Sequence, residues 1–203
     1  VKLNKVLLAL EVDKAVAQEA KNLGCNLIIT HHPLIFKPLK KVLAGNYVSD
    51  VLTLLIKNDI ACYAMHTNLD KAPRGVNYVL AKTLGLSKIE PLAEADSNNP
   101  GCIGELGKAY TWRELVALVK AVLRVEHLKT VPQNTSFHKI AVCGGAGMEF
   151  WSIAQNLGAD CLISADSSYH EGIEAKHRGM ALIDAGHYHT ENLIVNEVAA
   201  YLK

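Results

Sequence analysis

Six of the nine histidines in this 203-residue chain stand where an apolar, strand-like run ends. They lie in Thr30-His31-His32-Pro33, in His66-Thr67-Asn68-Leu69-Asp70, in His187-Tyr188-His189-Thr190-Glu191, and at His170. Imidazoles beside carboxylates suit Zn, Fe, Mn or Ni, and open α/β sheets bind ligands in the crevice beyond the strand carboxyl ends. Asp70 follows His66 by four residues and Glu191 follows His187 by four. If residues 187–191 open a helix, that spacing puts His187 and Glu191 on one face, able to reach one centre. His31 and His32 face opposite ways while the strand lasts, so they converge only if the turn at Pro33 re-aims one of them. Two ions about 3.5–4 Å apart would need bridging carboxylates as well as terminal ligands. The inventory contains both.

These side chains depend on the elements that end beside them, and the chain alternates strand and helix. Lys5–Val12 reads as a strand, followed by a helix over Asp13–Leu23 with Asp13 as N-cap and Gly24 past its end. Asn26–Thr30 is a short buried strand, Val48–Asn58 a helix, Ile60–Met65 a strand and Gly75–Leu84 a helix. Glu94–Pro100 combines charge, Asn and Pro with no apolar period and reads as a linker. A strand over Cys102–Leu106 and a helix over Trp112–Leu123, capped by Thr111, follow before a break at Pro132.

Then the pattern repeats. Ala20-Lys21-Asn22-Leu23-Gly24-Cys25-Asn26-Leu27-Ile28-Ile29-Thr30 aligns without gaps on Ala154-Gln155-Asn156-Leu157-Gly158-Ala159-Asp160-Cys161-Leu162-Ile163-Ser164. Each copy follows a strand and leads through a helix to a strand ending in histidine, His66 or His187. The expected fold is therefore α/β: two similar halves, residues 1-96 and 97-203, with largely parallel sheets, helices packed on them, and a metal cleft between the halves. In the second copy Ala165 and Asp166 replace the histidine pair, so one pair of ligands is lost there. His170, just after them, is a candidate substrate or proton-moving residue, and so is His189, which would face away from His187. His127, His138 and His177 lack such context and read as surface.

Other features bound the function. A formal charge of +1 gives no basic field for nucleic acid, and no apolar run approaches the roughly 20 residues a bilayer needs. The five cysteines (Cys25, Cys62, Cys102, Cys143, Cys161) include no Cys-x-x-Cys and read as reduced core thiols of a cytoplasmic protein. Cys143-Gly144-Gly145-Ala146-Gly147 reads as a tight strand-to-helix turn, with a phosphate cradle as the alternative. Lys37 and Lys40-Lys41 read as a solvated loop, with a phosphate contact at a cleft rim as the alternative.

The stretches Ile28-Ile29-Thr30-His31-His32-Pro33-Leu34-Ile35-Phe36, His66–Asp70, Ala141-Val142-Cys143-Gly144-Gly145 and Asp184-Ala185-Gly186-His187-Tyr188-His189-Thr190-Glu191 together resemble the Nif-three-like family of dinuclear-metal-centre proteins, called GTP cyclohydrolase I type 2 homologues. The resemblance covers essentially the whole chain. It implies two similar α/β domains, a ring-shaped homohexamer and two divalent ions facing an internal cavity. Matched by motif, His31, His32, Asp70, His187 and Glu191 take the ligand role, with Asp70 and Glu191 as bridges and His66 beside the metals. The chain departs from the family at Ser164-Ala165-Asp166, where members often show Gly-Asp.

Two functions follow as expectations. One is a metal-dependent hydrolase, with a metal-bridging hydroxide attacking the imidazole ring of a GTP-like nucleotide. There His189 or His170 would move protons, and Lys37 or the Gly144–Gly147 turn would hold phosphate. The other is a non-catalytic metal scaffold or metal-delivery protein with the same ligands.

Overall fold

The computed structural model describes residues 2–92 and 101–203. The expected linker Glu94–Pro100 lies outside the described residues. Contacts divide the chain into two compact units, Val1–Leu69 with Val195–Lys203, and Asp70–Ile194.

The first unit is built on three short parallel strands, β1 (Val6–Ala9), β2 (Leu27–Thr30) and β3 (Ala61–Ala64), in the order β1-β2-β3. Two crossovers of the same hand, stepping the same way, place both connecting helices on one face of the sheet. These are α1 (Lys14–Asn22) and α2 (Tyr47–Lys57), which pack on each other. Between them and the sheet lies a core of Val12, Ala17, Ala20, Cys25, Ile28, Val51, Leu55 and Ile60. Asp13 caps α1 as expected, its carboxylate accepting from Val16 N at 2.7 Å. The short helix α3 (Thr67–Asp70) follows β3 and runs to the unit boundary.

The second unit holds a six-stranded mixed sheet in the order β4-β5-β7-β8-β9-β6. Its centre is the parallel trio β7 (Phe137–Ala146), β8 (Cys161–Ala165) and β9 (Ala181–Asp184). β5 (Cys102–Tyr110) runs antiparallel beside β7, β4 (Ser87–Pro91) antiparallel beside β5, and β6 (Lys129–Val131) antiparallel beside β9. Helices cover both faces. Leu80 and Leu84 of α4 (Val76–Thr83) and its C-cap, with Leu115 and Val119 of α5 (Trp112–Leu123), pack on Ile140, Val142, Ile163 and Ile183. Trp151 and Ala154 of α6 (Trp151–Asn156), with Ala175 of α7 (Tyr169–His177), pack on Ala141, Leu162 and Leu182. Alternate residues of each strand feed opposite cores, so β8 and β9 are buried at every position and read as unbroken apolar runs. The α8 helix (His187–Glu191) and α9 (Leu193–Leu202) end the chain.

The boundary expected at residues 96/97 is not where the contacts divide. Residues 70–92 lie in the second unit, because β4 completes the edge of the second sheet. Its Ser-Lys-Ile-Glu-Pro sequence carries one aliphatic residue and a proline, which a strand pattern does not signal but an edge strand tolerates. The internal repeat, in contrast, holds down to single hydrogen bonds. Cys25 N donates to Ala20 O at 2.8 Å and Ala159 N to Ala154 O at 3.0 Å, closing the same left-handed glycine cap at Gly24 and Gly158. Among the described residues no helix is long and apolar enough to cross a membrane.

Candidate metal centre

In the first unit β2 stops at Thr30 and the chain curls at once. His31 N and His32 N both donate to Leu10 O, at 3.0 and 2.8 Å, and the Thr30 hydroxyl donates to His32 O at 2.7 Å. Strand alternation is thus abandoned before Pro33, and the two rings come to lie 5.0 Å apart. His66, which opens α3 by accepting from Leu69 N at 2.7 Å, brings its ring 5.3 Å from His31 and 5.9 Å from His32. One nitrogen of each of the three lies within 4.8 Å of the others, near the roughly 4.2 Å that two metal–nitrogen bonds of about 2.1 Å could bridge, so small side-chain shifts would let one ion join them. His31 is buried, and its Nδ1 lies 2.8 Å from Met65 O. A carbonyl only accepts, so Nδ1 carries the proton, and in its neutral form the ring presents a lone pair at Nε2.

In the second unit Gly186, at φ +82°, lets the chain turn from β9 into α8, and the expected i, i+4 face forms. His187 Nε2 lies 3.1 Å from Glu191 Oε2. On its other side His187 Nδ1 lies 2.6 Å from Asp166 Oδ2. Two carboxylates on one ring stabilise imidazolium. Glu191 foremost and then Asp166 raise the His187 pKa to about 9, against the opposing pull of burial. The proton between His187 and Glu191 occupies the place a cation would take between two such donors. Glu191 is 4% exposed, and a carboxylate that deeply placed demands a proton or metal partner.

The glycine turn is shaped around these donors. Gly145 sits at φ +63°, and a Cβ there would overlap Glu191 Oε1 and stand 3.0 Å from His187 Nε2. Its amide donates to Thr190 Oγ1 at 3.0 Å, that of Gly144 to Asn77 Oδ1 at 2.7 Å, and that of Gly147 to Ser164 Oγ at 3.1 Å. With these amides turned inward, the turn is not a phosphate cradle. Asp70 ends α3, and its carbonyl accepts from Asn77 Nδ2 at 3.2 Å, so the buried Asn77 ties the Asp70 segment to Gly144. The Cys143 thiol is pushed up to about 12, by burial first and then by Asp70, Cys102, Glu191 and Glu149.

The predicted residues therefore fall into two groups, described unit by unit. His31, His32 and His66 converge in the first. His187 and Glu191 converge in the second, with Asp70 joined to the glycine turn beside them through Asn77. His189 Nδ1 donates to Leu123 O at 3.1 Å, satisfying a carbonyl at the end of α5. His170 is exposed in the first turn of α7, its ring 5.5 Å from Tyr169. His127, His138 and His177 are exposed, as expected. Sequence reasoning missed Asp166 and Asn77. Asp166 carried a signal, since it stands at the β8 exit where the first copy has its histidine pair, whereas Asn77 sits inside a helix and carried none.

The family model of Duf34/NIF3 (NGG1p interacting factor 3) matches residues 1–203. The chain belongs to this family. Over 205 residues it is 36% identical to a Clostridium perfringens protein named GTP cyclohydrolase 1 type 2 homolog, covering 99% of this chain and 78% of the relative. A Helicobacter pylori relative named GTP cyclohydrolase 1 type 2 is 32% identical over 199 residues, covering 96% and 76%. The crystal structure of Staphylococcus aureus hypothetical protein SA1388 superposes at a TM-score of 0.91 with 30% identity, covering all of this chain and 80% of that one. The Duf34/NIF3 assignment and the α/β fold thus agree with the resemblance carried by the His31-His32, His66–Asp70 and His187–Glu191 motifs.

Proposed function

We propose that this chain binds two divalent metal ions through His31, His32, Asp70, His187 and Glu191, with His66 beside them, and that it is a metal-dependent hydrolase of nucleotides. The observation that carries the reading is His187, oriented by Asp166 at 2.6 Å through one nitrogen and facing the buried Glu191 at 3.1 Å through the other. A carboxylate holding the far nitrogen of an imidazole is the usual support of a metal-ligating histidine. A bound divalent ion of this kind supplies Lewis acidity and lowers the pKa of water toward neutrality.

The chain's own residues support a nucleotide as substrate. Phe36 is 73% exposed and meets His66 edge-on at 6.1 Å, giving an aromatic surface on which a purine can stack. Lys37, Lys40 and Lys41 follow on the same exposed loop and can pair with phosphate. The Helicobacter pylori relative's name, GTP cyclohydrolase 1 type 2, points to the same substrate class.

Elemental analysis of protein purified without chelator, wild type against Asp70→Asn/Glu191→Gln, tests the metal assignment. About two ions per chain in the wild type, lost in the double variant, support it. A wild type that takes up no metal even after reloading refutes it. For the hydrolase reading, turnover of GTP must track metal occupancy. Full occupancy with no turnover of any nucleotide would instead favour a scaffold or metal-delivery role. His189→Gln and His170→Gln should lower turnover at unchanged metal content if either side chain moves protons.

A further inference from the structure

We propose that Asp184, at the last position of β9, is the positioning residue that aims both halves of the Asp166–His187 pair; the inference rests on the metal-binding reading above. Its carboxylate is buried, at 7% side-chain exposure, and both oxygens are engaged. Oδ2 accepts from Ser167 N at 3.0 Å and from the Ser167 hydroxyl at 2.7 Å. Oδ1 accepts from Gly186 N at 3.1 Å. Ser167 directly follows Asp166, and Gly186 directly precedes His187. One side chain therefore fixes the turn leaving β8 and the turn leaving β9, the two turns that bring Asp166 Oδ2 to His187 Nδ1.

The clamp explains two backbone conformations. Asp166 sits at φ +57°, a left-handed conformation that L residues rarely adopt, and Gly186 sits at φ +82°. Neither turn has a regular ladder partner to hold it there, since β8 ends at Ala165 and β9 at Asp184. Three charge-assisted hydrogen bonds to one buried carboxylate hold both. Lys129, 3.7 Å from Asp184 Oδ2 and 78% exposed at its side chain, is a peripheral partner, and the clamp does not depend on it. Both Asp184 oxygens are engaged by Ser167 and Gly186, so its effect on metal passes through Asp166 and His187.

The test is Zn²⁺ affinity by chelator competition, together with the proton NMR signal of His187 Nδ1–H in metal-free protein, both on the full chain. An N–H held at 2.6 Å from a carboxylate gives a low-field, exchange-protected resonance. Asp184→Asn replaces one acceptor oxygen with a donor, so whichever way the amide turns, either the Ser167 side or the Gly186 side of the clamp is broken. It should weaken Zn²⁺ about tenfold, at the lower end of losses seen when the partners of metal-ligating histidines are removed, and should abolish the low-field signal. Lys129→Met should change neither. A folded Asp184→Asn protein with wild-type affinity and an intact signal overturns the proposal. Should Asp184→Asn fail to fold, Ser167→Ala, which removes only the hydroxyl bond, carries the test. It must weaken the signal and the affinity in the same direction, and no change in either overturns the proposal. His187→Ala separates the two readings. If it leaves Zn²⁺ affinity unchanged, the metal reading fails and the clamp is judged on the resonance alone. If it destroys affinity while Asp184→Asn does not, only the clamp fails.

Discussion

Gly145→Ala tests the second-unit group most directly, because two separable costs meet at that position. The first is conformational: Gly145 lies at φ +63°, where an L residue costs about 1–2 kcal/mol. The second is spatial: the added methyl would overlap Glu191 Oε1 and stand 3.0 Å from Glu191 Cδ and from His187 Nε2. The contacted atom is the far end of the Glu191 side chain, so the carboxylate moves aside, and moving it gives up its bond to His187, a charge-assisted interaction typically worth about 1.5–3 kcal/mol. Gly85→Ala is the matched control, since Gly85 has φ +80° and a methyl added there would meet nothing within 4 Å. Urea unfolding of the metal-free proteins should give losses of about 1–2 kcal/mol for Gly85→Ala and about 2.5–5 kcal/mol for Gly145→Ala. Zn²⁺ affinity should be unchanged in the first and reduced at least about a hundredfold in the second, beyond the usual cost of losing a supporting residue. If the two variants match in both stability and affinity, Gly145 is only a turn residue and the close approach of the backbone to Glu191 and His187 has no function.

The same geometry sets three further outcomes. The folded His187 pKa, about 9, lies above its ordinary 6.5 because of Glu191 and Asp166, so protonation stabilises the metal-free protein fully below about pH 6.5, and this contribution is lost as pH rises through about 9. Thermal scans from about pH 6 to 10 should show that decline without metal, and it should be absent in His187→Gln. Because an ion must displace that proton, Zn²⁺ affinity should rise over the same interval, read by chelator competition. Asn77→Ala leaves the half-buried Gly144 amide without its acceptor and should cost about 1–3 kcal/mol in urea unfolding; a loss below about 0.5 kcal/mol would show that the turn holds without it. Brief iodoacetamide treatment at about pH 8 should label the exposed Cys62 and spare Cys143 and Cys161, whose thiols are buried and pushed up by that burial, as read by peptide mass spectrometry.

How much was legible followed from how local the signal was. The α1 and α5 caps were readable because Asp13 and Thr111 each precede an apolar period, and the repeat because glycine caps at Gly24 and Gly158 enforce the same hydrogen bonds. The ligand candidates were readable because strand exits in parallel sheets collect functional groups, and five histidines and carboxylates at such exits exceed what filler would supply. The strands β4 and β6 were not: each is an edge strand exposed over most of its length, so water, not a core, sets its composition. The convergence of His31 and His32 depended on both amides turning to Leu10 O, a long-range bond with no sequence pattern. Asp166 was marked by standing where the first copy has His32, but no sequence pattern tied it to His187, and Asp184 lies at the end of a strand that reads as core.

Parallel pairing accounts for why both groups are built the same way from different residues. Thr30 is in register with Ala64, and Ser164 with Asp184, so chain segments leaving adjacent strands run side by side for a residue or two. In the first unit the histidine leaves β2, and the segment leaving β3 supplies the acceptor, Met65 O, to His31 Nδ1. In the second the order is exchanged: the histidine leaves β9, and the segment leaving β8 supplies Asp166 to His187 Nδ1. Either way a neighbouring strand exit fixes one imidazole nitrogen and turns the other toward the candidate ligand group. The substitution of carbonyl by carboxylate is what differs chemically. A carbonyl orients a neutral ring and adds no net charge, whereas Asp166 adds a full negative charge, which with Glu191 lifts the His187 pKa to about 9. Where the first copy has His32, the second has Asp166, which makes His187 a stronger base. In the proposed metal-bound state that would make it a stronger donor, at the cost of a proton that an ion must displace.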